Sequence, residues 1–393
     1  MYKRSLSLPL DVNKSFFLFG PRGVGKTAWL KQHLNNNLYY DLLNSELYTT
    51  LAAHPERLEN LIPPKFTGWI VIDEVQKLPI LLNEVHRLIE AQGYRFILTG
   101  SSARSLRKKG VNLLAGRAIN YYMHPLTAEE LGKDFSLEQA LQFGLLPATL
   151  KEPNIKRYLS SYVHNYVREE VQQEGLTRNI GDFTRFLETM SFSQGNLINI
   201  TAIGRDAAVH RKVVENYITI LEDLLLGYRL YPFTKKAKRH LVTHPKFYFF
   251  DAGIFNQIRP KGPLDSPNEI GGVALETLFL QHLRAAIDYQ ETGDQLYFWR
   301  TPAGQEVDFI VYGEKGLLAF EVKSTTKPCS ADFKSLKAFK EDYPMAKLFL
   351  VYRGARREYH GDVEVIPITE TLQNLSILLN LRVTASPIKS ACE

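Results

Sequence analysis

The stretch Gly20-Pro21-Arg22-Gly23-Val24-Gly25-Lys26-Thr27 constrains this chain more than any other, because it fills the pattern G-x-x-x-x-G-K-[ST] completely. Three glycines let the backbone curl until its N–H groups point inward, which makes a cradle for a triphosphate. Lys26 is placed to reach the β- and γ-phosphates, and the Thr27 hydroxyl to coordinate Mg²⁺. A helix opening near Lys26 adds its positive end beneath the anion. The flanks have the required character: Ser-Phe-Phe-Leu-Phe at 15–19 reads as a buried strand, and 27–34 can open the helix. A glycine-rich turn in an unrelated fold would need neither flank.

A phosphate loop needs a second strand bearing a carboxylate. Trp69-Ile70-Val71-Ile72-Asp73-Glu74 supplies it, with Asp73 expected to hold Mg²⁺ through water and Glu74 to polarise the attacking water. Guanine selection by N-K-x-D has no counterpart in the chain, so ATP is the expected nucleotide. The strand at 94–99 ends in Thr99-Gly100-Ser101-Ser102, which makes Thr99 the candidate sensor of the γ-phosphate. Arg104 and Arg117 are alternatives for a phosphate contact, made within the subunit or across an interface between copies. A homo-oligomer formed through this unit is therefore a possible partner state.

At 393 residues, 45% hydrophobic and 23% charged, the chain has the composition of a globular protein with two to four domains. Its net charge of +6 is mild, so the placement of charge matters more than the sum. Cys329 and Cys392 are too few for a disulfide framework or a four-cysteine zinc site. No apolar run approaches the roughly 18–20 residues of a membrane span, and residues 1–10 lack the apolar core of a signal peptide, so a cytoplasmic location is expected.

Three units are expected: 1–132, 133–240 and 241–393. The first alternates strands (15–20, 38–41, 69–73, 94–99) with helices such as 80–92, the rhythm of a parallel α/β sheet. The second is helical, with amphipathic stretches at 155–174 and 182–193. Within it, 201–208 followed by 211–225 reads as helix-turn-helix: Val213, Tyr217, Ile220 and Leu221 face inward, while His210, Arg211, Lys212, Glu215, Asn216 and Thr219 face out. Arg211, Lys212 and Asn216 are types that contact phosphates and base edges. The run Lys235-Lys236-Ala237-Lys238-Arg239-His240 follows where a wing would lie, so DNA is an expected partner. Packing of the same module as a lid or protein contact is the alternative.

In the third unit strands return at 247–250, 295–300, 306–311, 317–322, 347–351 and 363–366, with 254–268 expected as a proline-marked loop. Asp308 lies in Glu306-Val307-Asp308-Phe309-Ile310-Val311, and Glu321-Val322-Lys323 closes the next strand. Glu321 and Lys323 share a strand face, and antiparallel pairing across 312–316 would set Asp308 beside Glu321. Two carboxylates could then bind Mg²⁺, with the Lys323 ammonium steering water or offsetting transition-state charge. Glu276, on an amphipathic helix at 272–283, would complete the site as a third metal ligand.

With these motifs the chain resembles a family of bacterial and archaeal AAA-type ATPases, in which a P-loop ATPase module precedes a winged helix and a C-terminal PD-(D/E)xK domain. The resemblance is carried in order by 20–27, 70–74, 98–102, 114–117 with Pro125-Leu126-Thr127, Tyr166-Val167-Arg168-Glu169-Glu170, 213–223, 246–253, 297–300 and 306–323. One departure is Phe143-Gly144-Leu145-Leu146-Pro147, where the family usually has Gly-Gly-Phe-Pro. The resemblance implies an α/β protein: a parallel-sheet ATPase domain, a helical and winged-helix middle region, and an α/β restriction-endonuclease-like domain. It implies ATP and Mg²⁺ as cofactors, with Asp308, Glu321 and Lys323 as the nuclease-like set. Two readings stay open. One is a Mg-dependent ATPase acting on DNA in processing, repair or defence. The other is an ATP-dependent signalling or assembly switch whose nuclease-like domain only binds protein or nucleic acid.

Overall fold

Strand β1 (Ser15–Phe19) is buried along its whole length, which requires cover on both faces and neighbours on both edges. In the computed structural model, which describes residues 2–102, 114, 116–167, 171, 179–235, 237, 239–263 and 265–380, it has both. It lies in a parallel sheet with β2 (Asn37–Asp41), β3 (Trp69–Asp73), β4 (Arg95–Gly100) and β5 (Ala118–Tyr122), in the order β2-β3-β4-β1-β5. Phe16, Leu18, Val71 and Ile97 pack to one side, with Trp29 and Leu30 of helix α1 (Lys26–His33). Phe17, Phe19, Ile70, Ile72 and Leu98 pack to the other, with Leu81, Leu82, Val85 and Leu88 of α2 (Leu81–Gln92). Strand β5 is absent from the sequence reading for a physical reason. As an edge strand it exposes Ile119 and Asn120, so it lacks the continuous apolar run that marks the others.

The stretch expected as one helix over 155–174 is instead α3 (Ile155–Ser161), continued by a π-helical turn, Tyr162–Val167. Beyond it come α4 (Ile180–Phe192), α5 (Ile200–Asp206) and α6 (Arg211–Asp223). Val214, Tyr217, Ile218, Ile220 and Leu221 form the buried stripe of α6, with Val213 at its margin. Strand β6 (Gly227–Pro232) follows and pairs antiparallel with β7 (Lys246–Phe249). The expected unit boundary at 240/241 thus falls inside the connection between two paired strands.

The end of β6 also pairs with β8 (Gln295–Arg300), Tyr231 to Tyr297 and Pro232 to Phe298, which joins the hairpin to the C-terminal sheet. That sheet adds β9 (Glu306–Gly313), β10 (Gly316–Lys323), β11 (Lys347–Tyr352), β12 (Glu358–His360) and β13 (Val363–Pro367). Its order is β12-β13-β11-β10-β9-β8-β6-β7, with parallel and antiparallel pairs mixed. The segment expected as a loop over 254–268 begins as helix α7 (Ala252–Ile258), capped by Asp251. Its prolines lie past the end of α7 or, in Pro267, at the first turn of α8 (Pro267–Gln290), where a missing N–H costs nothing. Leu278, Phe279 and Leu283 of α8 cover one face of the sheet; Leu336 and Phe339 of α9 (Lys334–Asp342) cover the other. No helix among the described residues is long and apolar enough to cross a membrane.

Candidate functional site

The loop Gly20–Thr27 runs from the end of β1 into α1. Gly23 and Gly25 have φ +85° and +100°, a region that L side chains rarely adopt, and a Cβ on Gly20 would stand 2.4 Å from the Met123 carbonyl. Lys26 is buried beneath the loop, its ammonium donating to the carbonyls of Gly20 (2.6 Å) and Pro21 (3.3 Å). The Thr27 hydroxyl donates to Asp73 Oδ2 at 2.8 Å, so the two expected Mg²⁺ ligands stand side by side, one in the first turn of α1 and the other at the end of β3. Thr99 donates to the other oxygen of Asp73 and accepts from the Glu74 backbone N–H at 3.4 Å. One hydroxyl therefore bridges the Asp73 carboxylate and the Glu74 backbone. Glu74 sits at φ +58°, which turns its side chain out of the strand line, and Gln76 donates to its carboxylate.

Other residues at this end were not anticipated. Tyr39 of β2 donates its hydroxyl to Asp73, and burial together with that carboxylate raises the phenol's pKa. Arg4 donates to the loop carbonyl of Val24 (2.7 Å), to Glu130 Oε1 (3.0 Å) and to the Tyr289 hydroxyl of α8 (3.0 Å). The Tyr162 hydroxyl in the π-helical turn donates to the Arg22 carbonyl at 2.9 Å, and the Arg22 guanidinium lies over the Tyr166 ring. Such partners lie far apart in sequence and leave no local signal.

Arg117 is at the other end of the sheet. Its carbonyl accepts from Ser15 N–H at the start of β1, and its guanidinium pairs with Glu90. The length of β1, about 15 Å at roughly 3.3 Å per residue, separates it from the loop, so a phosphate contact within its own chain is excluded by geometry. Arg104 lies outside the described residues.

The C-terminal set gathers as a buried charge network. β9 and β10 pair antiparallel with Phe309 opposite Phe320, which sets Asp308 beside Glu321. Asp308 Oδ2 accepts from the Val322 N–H at 2.8 Å, and the Lys323 ammonium contacts Glu321 Oε1 at 2.5 Å. Glu321 Oε2 is buried with no hydrogen-bond partner among the described residues. Glu276, on α8, accepts from the Tyr248 hydroxyl at 3.0 Å. Burial first, then the charge of Asp308, pushes the Glu276 carboxyl up to about 8; the same two causes hold Glu321 well above the usual carboxylate range. Burial works against the Lys323 charge, but Asp308 and Glu321 overcome it and raise its pKa.

Glu276, Asp308 and Glu321 do not form the expected three-carboxylate metal position. Among the described residues no group of three or more His, Cys, Asp or Glu could hold a metal ion. Glu276 is turned toward Tyr248 on the neighbouring strand, which leaves Asp308 and Glu321 as the adjacent pair. Their oxygens are the ligand type for Mg²⁺, and the unpartnered Glu321 Oε2 is the atom a cation would satisfy. Lys246 and Tyr248 of β7 and Glu306 of β9 also belong to this network, Lys246 pairing with Glu306. The alternation Lys246-Phe247-Tyr248 in a strand was the available signal.

His210, which caps α6, and Arg211, Lys212, Glu215 and Asn216 on it are exposed, with Arg211 paired to Glu215 at 3.1 Å. The basic run is less free. Lys235 lies over the Tyr312 ring, and Arg239 pairs with Asp342 at 2.7 Å and Glu341 at 3.4 Å. Lys236 and Lys238 lie outside the described residues.

Residues 12–132 match the family model described as AAA domain. The match supports an AAA-type ATPase unit at this end of the chain. Residues 134–265 match Domain of unknown function (DUF8612), and residues 271–371 match Domain of unknown function (DUF4143). Among relatives, the uncharacterized protein Rv2008c of Mycobacterium tuberculosis is 25% identical over 371 residues, covering 92% of this chain and 81% of its own. The uncharacterized protein MJ1544 of Methanocaldococcus jannaschii is 24% identical over 380 residues, covering 88% and 82%. Among solved structures, that of the Aeropyrum pernix Orc1 protein in complex with DNA aligns at TM-score 0.27 and 14% identity, over 62% of this chain and 86% of that one.

Proposed function

We propose that the chain is a Mg²⁺-dependent ATPase whose nucleotide state acts, through a winged helix, on a restriction-endonuclease-like domain that engages DNA. The observation that carries the ATPase reading is the Asp73 carboxylate, which receives Thr27 from the phosphate loop and Thr99 from the neighbouring strand. Lys26 would bind the β- and γ-phosphates, Thr27 and Asp73 would hold the metal, and Glu74 would orient the attacking water. Bound Mg²⁺ would supply the positive charge that offsets the transferring phosphoryl group. Thr99 would sense the γ-phosphate, since a shift of its hydroxyl moves Asp73 and Glu74 together. Lys26→Ala should abolish binding of a fluorescent ATP analogue, whereas Glu74→Gln should bind it and hydrolyse ATP slowly. Wild-type turnover in both variants would end the assignment.

Support for the DNA reading is the exposed row His210, Arg211, Lys212 and Asn216 at the start of α6, followed by the β6–β7 hairpin. Asp308 and Glu321 would hold a divalent cation, with Lys323 orienting water at a phosphodiester. A specific observation favours the second reading, an assembly switch: Lys235, though exposed, lies over the Tyr312 ring, and Arg239 is paired with Asp342. Salt separates the two, because a protein that neutralises several phosphates loses affinity steeply as ionic strength rises. Arg211→Glu with Lys212→Glu should weaken duplex binding at every sequence and flatten that salt slope. An unchanged isotherm would select the switch.

A further inference from the structure

The two ammonium groups of the acid network come from different parts of the chain. Lys323 stands beside Glu321 on β10, whereas Lys246 comes from β7, outside the C-terminal stretch 271–371. Lys246 and Tyr248 are two residues apart on a strand and so share a face. The Lys246 side chain is 1% exposed, pairs with Glu306, and has Glu276 and Asp308 as further charged neighbours. Tyr248 donates to Glu276. The hairpin is fastened to α8 by Gln194, whose side chain donates to Thr277 Oγ1 at 2.8 Å and accepts from Phe249 N–H at 2.8 Å. Beside it is Gly195, where a Cβ would stand 3.3 Å from Glu276 Oε2.

A buried ammonium is a poor device for stability, because well-packed apolar side chains of similar volume often do as well or better. Its placement among Glu276, Glu306 and Asp308 argues for an electrostatic task. The unpartnered Glu321 Oε2, on a side chain more than nine-tenths buried, is an oxygen beside Asp308 left open to a ligand.

We propose that Lys246 is a positioning cation of this site, setting how strongly Asp308 and Glu321 take a divalent ion, while Tyr248 holds Glu276 apart from it. The proposal rests on the reading of Asp308 and Glu321 as cation ligands. With two ammonium groups flanking the carboxylates, a divalent ion alone binds weakly. A phosphate ester of a nucleic acid brings the missing negative charge, so ion and phosphate enter together. The hairpin after α6 thereby becomes part of the acid site rather than its neighbour.

Mn²⁺ binding followed by electron paramagnetic resonance on the full chain, without nucleotide, tests this. Subtracting the Asp308→Asn signal isolates the site from the phosphate loop. Removing one nearby positive charge, Lys246→Met should tighten Mn²⁺ by about tenfold, and Glu306→Gln, which removes a negative charge, should weaken it by about the same factor. A short 5′-phosphorylated oligonucleotide should tighten Mn²⁺ in the wild type and much less in Lys246→Met. Equal Mn²⁺ affinity in the wild type and both variants overturns the role of Lys246 and leaves the cation site standing. No difference between wild type and Asp308→Asn removes the cation reading and the proposal with it. If Lys246→Met does not fold, Lys246→Arg carries the test beside Glu306→Gln: it keeps the charge and should match the wild type, and a tenfold change would count against the proposal.

Discussion

Asp251 shows how one buried carboxylate organises a junction. It accepts from the N–H groups of Leu145 (2.8 Å), Gly253 (2.9 Å) and Ile254 (3.1 Å), so it caps α7 and ties down the stretch that departs from Gly-Gly-Phe-Pro. Gly144 is required there, at φ +71°, because a Cβ would lie 1.9 Å from Asp251 Oδ1. Burial pushes the Asp251 carboxyl up from 3.8 to about 6, even though the backbone donors pull it down. A raised acid holds its proton better when folded. Its stabilising contribution is therefore complete below about pH 4 and is lost as pH rises through about 6, on the order of 3 kcal/mol in all. Asp251→Asn lacks this titration. Urea unfolding from pH 4 to pH 7 should show wild type losing ground against Asp251→Asn by up to that amount; a gap constant with pH would refute the account.

Helix α8 is the element on which the C-terminal unit depends. Ser266 caps it and Pro267 opens it, both local signals, and its apolar face meets the sheet through Phe279, whose ring lies 5.6 Å from Phe309 and 5.5 Å from Phe320. Phe309 directly follows Asp308, so this packing also fixes where the carboxylate emerges. Phe279→Ala should cost about 3–5 kcal/mol in urea unfolding, the range for a fully buried aromatic. A loss below about 1 kcal/mol would mean that the contact does not carry the core. The variant should also weaken Mn²⁺ binding at Asp308, since the strand beneath it loses its support. The same helix holds Glu276 and, about 20 Å along its axis at 1.5 Å per residue, Asp288 and Tyr289.

At the scale of the whole molecule, that distance links the two candidate sites. Tyr289 accepts from Arg4, Arg4 donates to the phosphate loop, and Asp288 pairs with His124 at 2.6 Å where the chain leaves β5. One apolar cluster runs without a break from β1 through the middle helices to α8. Tyr289→Phe keeps the ring and removes the hydroxyl that accepts from Arg4 and from the His124 N–H (3.0 Å). It should weaken ATP-analogue binding by about three- to tenfold, the equivalent of one hydrogen bond. Unchanged nucleotide affinity would show that the loop is held without help from α8.

What the sequence determined by itself is whatever a short window of chain can encode. The phosphate loop is one, because its glycine spacing and lysine act within a single turn. The strand 69–73 is another, because burial on both faces writes a continuous apolar run. Glu321 and Lys323 share a face by the two-residue period of a strand, which needs no partner to be legible. Tertiary structure decided the rest. Tyr39, Arg4 and Lys246 reach their sites across 34, 20 and 60 residues of separation, to Asp73, Val24 and Glu306. No local pattern records such pairings, since each residue type is common and only the fold chooses its neighbour. Glu276 illustrates the limit. Its place on a helix above the sheet follows from amphipathic spacing, yet its partner is Tyr248, because the β6–β7 hairpin closes against α8 and brings that hydroxyl within 3.0 Å.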